Sequence, residues 1–292
     1  MISVIVPVYN GEQFLPEFLK SILFQKVNFN SFEIILIDNN SNDKTKELIN
    51  KFKKDNSNID CKYLFYDGKA SSYASRNVGL TNSKGDILAF TDVDCILEKD
   101  WLKNIQSKFN EKNNKIISGD IDLYFKDKKN IWENFDKIVH MRNDKRVKSN
   151  EIATANMALL KVTFNEIGIF DEVTSGGDFN FAKKAVKKGF EIEFSKDIKV
   201  LHPTRKTYLE IKKKLLRLSF GEGELYRKHN KSFARGIIIN LLRILNLPKH
   251  YRISKKMVVN TGMFRMMIFN LVYFYLKLLQ FGSFIRGYMV EN

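Results

Sequence analysis

Two carboxylates one residue apart, Asp92 and Asp94 in Thr91-Asp92-Val93-Asp94, directly follow the apolar run Ile87-Leu88-Ala89-Phe90. A strand that ends in Asp-x-Asp sets two anionic oxygen donors at the carboxyl edge of a sheet, where open α/β folds bind ligands. Hard divalent cations accompanied by phosphates bind such oxygens readily. The spacing alone is weak, because the chain holds 33 acidic residues and Asp120-Ile121-Asp122 repeats it. That second pair reads as a solvated strand-end turn. The first pair gains meaning from its company: Ile2-Ser3-Val4-Ile5-Val6-Pro7-Val8-Tyr9-Asn10 upstream, and Gly176-Gly177-Asp178 and the isolated His202 downstream.

The elements that must position these residues alternate between strand and helix. Residues 2–8 read as a buried strand, followed by a turn at Asn10-Gly11 and a helix over about 13–24. A second apolar run, 32–37, ends at Asp38, and Ser41 is expected to cap a helix over about 43–52. Residues 59–66 read as a strand, 72–82 as a helix and 87–90 as the strand leading into the carboxylate pair. This is the spacing of βαβ units, so the expected fold class is α/β with a mostly parallel sheet flanked by helices. Further on, the pattern predicts a helix over 100–109, a strand over 116–124 and a helix over 131–141. A mobile loop is expected over 142–150, a return to the core over 153–160 and a helix over 179–188. Two short strands, 192–194 and 198–201, precede His202-Pro203.

These segments, in this order, resemble the family 2 glycosyltransferases, which have the GT-A fold and move a sugar from a nucleotide-diphosphate donor to an acceptor. The marks are Ser3 to Asn10, Ile37-Asp38-Asn39-Asn40-Ser41-Asn42-Asp43, Ala74-Ser75-Arg76-Asn77-Val78-Gly79, Gly85 to Asp94, Gly168-Ile169-Phe170-Asp171-Glu172 and Ser175-Gly176-Gly177-Asp178. The resemblance covers about residues 2–205. It implies that Asp92 and Asp94 hold a divalent cation, Mg²⁺ or Mn²⁺, that neutralises the departing diphosphate. Asp94 is the firmer ligand, since in relatives the first carboxylate often reaches the ribose. Asp38 would read the base and ribose, with Asn39 standing where many relatives carry a second Asp. An amide donates as well as accepts, so base identity stays open.

The resemblance further implies that Pro7, Val8, Tyr9 and Asn10 wall the base pocket and that Arg76 approaches the donor. Asp178 would be the base that takes a proton from the acceptor hydroxyl; helix capping is its competing role. Single displacement then implies an inverting transfer. His202 is expected at the metal or diphosphate, where related enzymes return a His. Arg205 has a weaker claim on phosphate. His140, His229 and His250 lie among basic residues and read as surface residues.

Composition sets limits. With 44% hydrophobic residues the chain is globular rather than disordered. Cys61 and Cys95 lack metal-ligand spacing and read as buried thiols. The apolar start is interrupted by Pro7 and lacks a basic lead, so a cytoplasmic protein is expected.

The net charge of +16 is uneven: residues 203–292 carry 18 Lys and Arg against 4 Asp and Glu, while residues 1–202 carry 31 against 29. This divides the chain into a catalytic region, 1–205, and a basic, apolar helical region, 206–292. The longest charge-free run there, 266–276, has 11 residues against the roughly 18 of a spanning helix. Such helices suit the interface of an anionic bilayer, here the cytoplasmic face. Packing on the catalytic region or on a second subunit, and a single membrane pass, are the competing readings. A lipid-linked saccharide of cell-surface polysaccharide or lipopolysaccharide assembly would be a fitting acceptor, and no nucleic-acid partner is expected. Two other functions stay open: nucleotidyl transfer, which commonly needs a glycine-rich basic loop where only Tyr9-Asn10-Gly11-Glu12 stands, and a non-catalytic protein that binds membrane or nucleic acid through its basic tail.

Overall fold

The computed structural model describes all residues except 111–114, 126–129, 140–142, 258–261 and 291–292. His140 and Arg142 therefore lie outside the described residues, as does the expected helix end at Met141. The chain divides into two compact units, the first made of residues 1–124, 141–172 and 177–203, the second of 125–140, 173–176 and 204–292. A single cut at residue 205 places segments 125–140 and 173–176 in the catalytic region; by their contacts they group with the C-terminal helices.

In the first unit, β1 (Ile2–Val8), β2 (Phe32–Asp38), β3 (Asp60–Phe65) and β4 (Ile87–Thr91) pair in parallel in the order β3-β2-β1-β4. The links are α1 (Leu15–Leu23), α2 (Thr45–Asp55) and α3 (Ser72–Thr81). β2 is buried along its whole length, as its largely apolar sequence suits in a strand covered on both faces, and Glu33 and Asp38 are buried with it. Beyond β4 the sheet becomes mixed. After β5 (Ile96–Leu97) and α4 (Trp101–Asn110) come β6 (Ile116–Tyr124) and β7 (Asn156–Leu160), and β7 runs antiparallel to both β4 and β6. The expected loop after residue 142 is short helix, α6 (Asn143–Arg146) and a 3-10 turn at Val147–Ser149. Then follow α7 (Lys161–Ile167), α8 (Gly177–Lys187) and β8 (Ile192–Pro203).

The two short strands expected before His202 are one strand, β8, parallel to β6 and antiparallel to β5. Its register slips between Gly119↔Ser195 and Asp120↔Lys199, so residues 196–198 have no partner on β6. This bulge carries a hydrophobic break at Lys196-Asp197 that reads in sequence as a gap between strands. The second carboxylate pair lies inside β6 rather than in a strand-end turn, and Asp122 pairs with Lys199 at 3.0 Å. Cys61 and Cys95 are buried free thiols, and burial pushes the Cys61 pKa up to about 11.

The second unit is helical: α5 (Ile131–Val139), α9 (Tyr208–Lys228), α10 (Phe233–Leu245), α11 (Leu247–Met257) and α12 (Gly262–Met289). A capping box opens α9, where Glu210 N–H donates to Thr207 Oγ1 at 3.2 Å and Thr207 N–H donates to Glu210 Oε2 at 3.2 Å. α9 and α12 meet backbone to backbone: a Cβ on Gly287 would lie 2.0 Å from the Phe220 carbonyl oxygen, and one on Gly223 would lie 2.2 Å from that of Phe284. Phe135, Ile211, Leu215, Phe269, Tyr273 and Leu276 form this unit's core. His250, expected at the surface, is buried instead: its ring meets Tyr273 edge-on at 4.8 Å and its Nε2 bonds the Arg243 carbonyl at 3.1 Å. The sequence pattern missed this because the flanking bases point outward while position 250 turns in. His229 is exposed, as expected.

Candidate active site

The site lies at the carboxyl edge of the parallel strands, where β1, β2 and β4 end in Val8, Asp38 and Thr91. Asp92 and Asp94 follow β4 directly, with side chains 29% and 26% exposed, enough for a ligand to reach them. The Arg76 guanidinium pairs with Asp92 Oδ1 and is itself almost wholly buried. A surface arginine is thereby ruled out. Its Nε–H has no acceptor among the described residues, a buried donor of the kind that polar ligands satisfy. Partial burial pushes the Asp92 carboxyl upward, Arg76 and His202 oppose, and the charges of Asp94 and Asp178 add to the rise. Crowded carboxylates of this kind favour a cation between or beside them.

Asp94 Oδ2 lies 3.3 Å from Nε2 of His202, which the bulged β8 delivers to the same edge. His202 is buried, and its Nδ1 lies 2.7 Å from the Pro203 carbonyl oxygen. With Nδ1 as donor to that carbonyl, Nε2 keeps its lone pair toward Asp94. The carboxylate oxygen is a donor that suits Mg²⁺ or Mn²⁺, while the imidazole nitrogen is a softer donor that favours a transition ion over Mg²⁺. Among the described residues no group of three or more His, Cys, Asp or Glu could enclose an ion. Asp94 and His202 are the pair that would hold a cation here. Arg205 is committed elsewhere: its N–H and Nη1 both donate to Asp136 Oδ2 at 3.1 Å, which removes its weaker claim on phosphate.

Asp38 is buried and accepts two hydrogen bonds, from Tyr63 Oη at 2.9 Å and from Ser41 N–H at 2.9 Å. Burial, with Asp38 adding, raises the Tyr63 pKa to about 12, so Tyr63 stays a donor. Ser41 does not cap α2; its hydroxyl accepts from Asn10 N–H at 2.9 Å, while Asp43 Oδ1 accepts from Thr45 N–H at 3.0 Å. Asn10 adopts a left-handed φ of 48° and its amide oxygen accepts from Asn42 N–H at 2.9 Å. Asn10 thus braces one edge loop against another. Val8 packs its side chain into the core and offers the edge only its carbonyl, which accepts from Asn39 N–H at 2.8 Å. Asn39 Nδ2 donates to the Tyr66 carbonyl at 3.2 Å. Pro7 is half-buried on β1, whereas Tyr9, 62% exposed, stands free at the rim where a base could stack on it.

Asp178 sits in the first turn of α8 and is nearly buried. Its Oδ1 accepts from Tyr73 Oη at 2.8 Å and from Phe179 N–H at 3.0 Å, while Oδ2 has no hydrogen bond to a described residue. The contact to Phe179 N–H is to the adjacent residue inside the first turn and is not the bond of a cap, so Asp178 does not cap α8. Tyr73 and Tyr63 were not anticipated. The signal for Tyr73 is its spacing: on α3 it lies three residues before Arg76, hence on the same face.

A model of the family described as glycosyl transferase family 2 matches residues 3–167. The chain is a family 2 glycosyltransferase. Glycosyltransferase AglE of Haloferax volcanii is 28% identical over 255 residues, 86% of this chain and 83% of that protein. A Campylobacter jejuni protein, GalNAc(5)-diNAcBac-PP-undecaprenol beta-1,3-glucosyltransferase, is 34% identical over 110 residues, 38% of this chain and 35% of its own length. The structure of mannosyltransferase PcManGT from Pyrobaculum calidifontis, in complex with GDP-Man and Mn²⁺, matches with a TM-score of 0.70 at 14% identity, covering 100% of this chain and 88% of that one. The last likeness bears on fold alone, and this family 2 glycosyltransferase has the GT-A architecture.

Proposed function

We propose that this glycosyltransferase moves a sugar, with inversion, from a nucleoside-diphosphate donor to a hydroxyl of a saccharide or lipid-linked acceptor in cell-surface glycan assembly, with a divalent cation at Asp94 and His202. The observation that carries the reading is the pairing of Asp94 with the Nε2 of a His202 whose Nδ1 is held by a backbone carbonyl. Asp38, buried and acceptor-only, would take hydrogen bonds from ribose or base, and Tyr9 would cover the base. Pro7, Val8, Asn10 and Asn39 shape that pocket through backbone and loop contacts. Arg76 fixes Asp92 toward the donor. The cation, when bound, supplies charge neutralisation for the leaving diphosphate. Asp178 takes the proton of the acceptor hydroxyl as the oxygen attacks the anomeric carbon; the bond to the diphosphate breaks and its electron pair leaves with the nucleotide.

The names of the relatives support this chemistry, one naming GDP-Man with Mn²⁺ and another an undecaprenol-linked substrate. A cytoplasmic bilayer surface as partner is supported by the second unit. On α10, Ile238, Leu241, Leu242 and Leu245 form one exposed apolar face, and α11 adds exposed Lys249, Arg252, Lys255 and Lys256. Residues 266–289 are also long and apolar enough to cross a membrane by length and composition, with 22% of an 18-residue stretch buried.

A thermal-shift panel of UDP-, GDP- and dTDP-sugars with Mn²⁺ tests the donor half, since a ligand at 100 times its Kd stabilises by about 2.7 kcal/mol. Asp94→Ala is expected to abolish the Mn²⁺-dependent shift. Asp178→Asn is expected to keep the shift and lose transfer by at least a hundredfold. A parental rate in Asp178→Asn would remove Asp178 as the base, and an unchanged Mn²⁺ response in Asp94→Ala would remove the cation site.

A further inference from the structure

α3 contributes more to the site than Arg76. Three of its side chains reach out to other segments of the first unit. Tyr73 Oη donates to Asp178 Oδ1 at 2.8 Å, Arg76 pairs with Asp92, and Asn77 Nδ2 donates to the Phe170 carbonyl at 3.0 Å while its Oδ1 accepts from Phe170 N–H at 3.1 Å. The Arg76 guanidinium also lies over the Tyr73 ring, 5.5 Å from its centroid. The helix itself has little freedom: a Cβ on Gly79 would lie 2.6 Å from Ile5 and 2.8 Å from Ile37, so α3 rests closely on β1 and β2.

Tyr73 is fixed in the same manner. Its ring packs on Phe170 at 5.9 Å, and a Cβ on Gly177 would fall 2.8 Å from its Cγ. Glycine at 177 is therefore what lets the N-terminus of α8 settle on the tyrosine ring, with Asp178 next in the chain. The contact spans 105 residues of sequence and is buried. Burial, with the Asp178 charge adding, keeps the hydroxyl protonated, so it can only donate to the carboxylate it touches.

We propose that Tyr73 is a positioning residue for the base: its hydroxyl occupies Oδ1 of Asp178 and turns Oδ2 toward the acceptor as the oxygen that receives the proton. This rests on the reading of Asp178 as the base. The proton moves from the acceptor hydroxyl to Oδ2 while the acceptor oxygen bonds to the anomeric carbon, and Tyr73 keeps its own proton throughout. Because Tyr73 and Arg76 stand one turn apart on one helix, the carboxylate on the acceptor side and the carboxylate on the donor side share a single rigid mount. A rotation of the Asp178 side chain away from this mount would break a charge-assisted hydrogen bond, the stronger class of such bonds.

The test uses the full chain with UDP-N-acetylglucosamine and GDP-mannose as probes, each with Mn²⁺, measuring release of nucleoside diphosphate with water as acceptor, and donor Kd by calorimetry. Tyr73→Phe removes only the hydroxyl and keeps the ring packing. It is expected to lower kcat by about tenfold or more while donor Kd and KM stay within about twofold, the signature of an interaction made in the transition state. A kcat within about threefold of the parent overturns the proposal, as does a loss of kcat matched by an equal loss of donor affinity. Asp178→Asn is measured alongside. A parental rate there strikes the base assignment itself, whereas an inactive Asp178→Asn beside a fully active Tyr73→Phe strikes only the role of Tyr73.

Discussion

Two carboxylates in the first unit have their pKa values shifted in opposite directions. Glu33 is fully buried, yet its pKa is lowered: burial pushes it up, but Lys62, the Ser3 hydroxyl at 2.6 Å and the Lys84 N–H outweigh that. Asp92 is raised, because burial and two neighbouring carboxylates outweigh Arg76 and His202. Glu33 is paired with Lys62 and bonded by Ser3 and the Lys84 N–H within the fold; Asp92 has Arg76 as its partner and stays 29% exposed at the sheet edge. Linkage gives Glu33 a sign. Its stabilisation is complete above the unfolded value of about 4.3 and is lost as pH falls through the lower folded value. The melting temperature of the parent is therefore expected to drop below about pH 4.3, and Glu33→Gln to flatten that limb; identical acid limbs would refute the assignment. At this scale the sequence disclosed the acids that end strands, Asp38, Asp92 and Asp94, because a carboxylate directly after a buried apolar run must surface at the sheet edge, where ligands bind. It did not disclose Tyr73, since a tyrosine inside a helix reads as core until its hydroxyl is seen to meet a carboxylate.

Among the elements, the joint between β6, β7 and β8 decides where His202 lands. The bulge frees backbone carbonyls on both strands, and Asn156 answers them: its Nδ2 donates to the Asp120 carbonyl at 2.7 Å and to that of Ile198 at 2.8 Å, and its Oδ1 accepts from Trp101 Nε1 at 2.9 Å. Gly119 is bare so that this amide can pass, since a Cβ there would lie 2.3 Å from Asn156 Nδ2. Asn156→Ala would leave three buried polar groups unanswered at about 1–3 kcal/mol each before relaxation. A loss of roughly 2–4 kcal/mol in urea unfolding is expected; a variant within about 0.5 kcal/mol of the parent, the range of an ordinary surface change, would show that the bulge is held otherwise. The strand and helix alternation up to β4 was legible because β1, β2 and β4 are largely apolar and α1 and α2 are amphipathic. The bulge was not, because its cause is an amide some forty residues away in sequence. β5, two residues long, has too few side chains to show any period.

For the molecule as a whole, charge and apolar surface coincide in the C-terminal helices, and this supports a bilayer more than it supports water or nucleic acid. Full-length protein is expected to float with vesicles containing anionic phospholipid and to stay behind with purely zwitterionic ones. Reversing Arg252, Lys255 and Lys256 to Glu on α11 should release it, at about 1 kcal/mol per cation near the surface. Flotation with both vesicle types, unaffected by the reversal, would count against the electrostatic part. One helix crossing bears on that proposed contact. At Gly223 and Gly287 the main chains of α9 and α12 touch with no side chain between them, so α12 has surrendered one flank along its length to a polar neighbour carrying Lys213, Arg217 and Glu222. On the proposed bilayer, a rod clasped in that manner would lie half-sunk like a keel, and it would have to be torn from its companion before lipid could surround it.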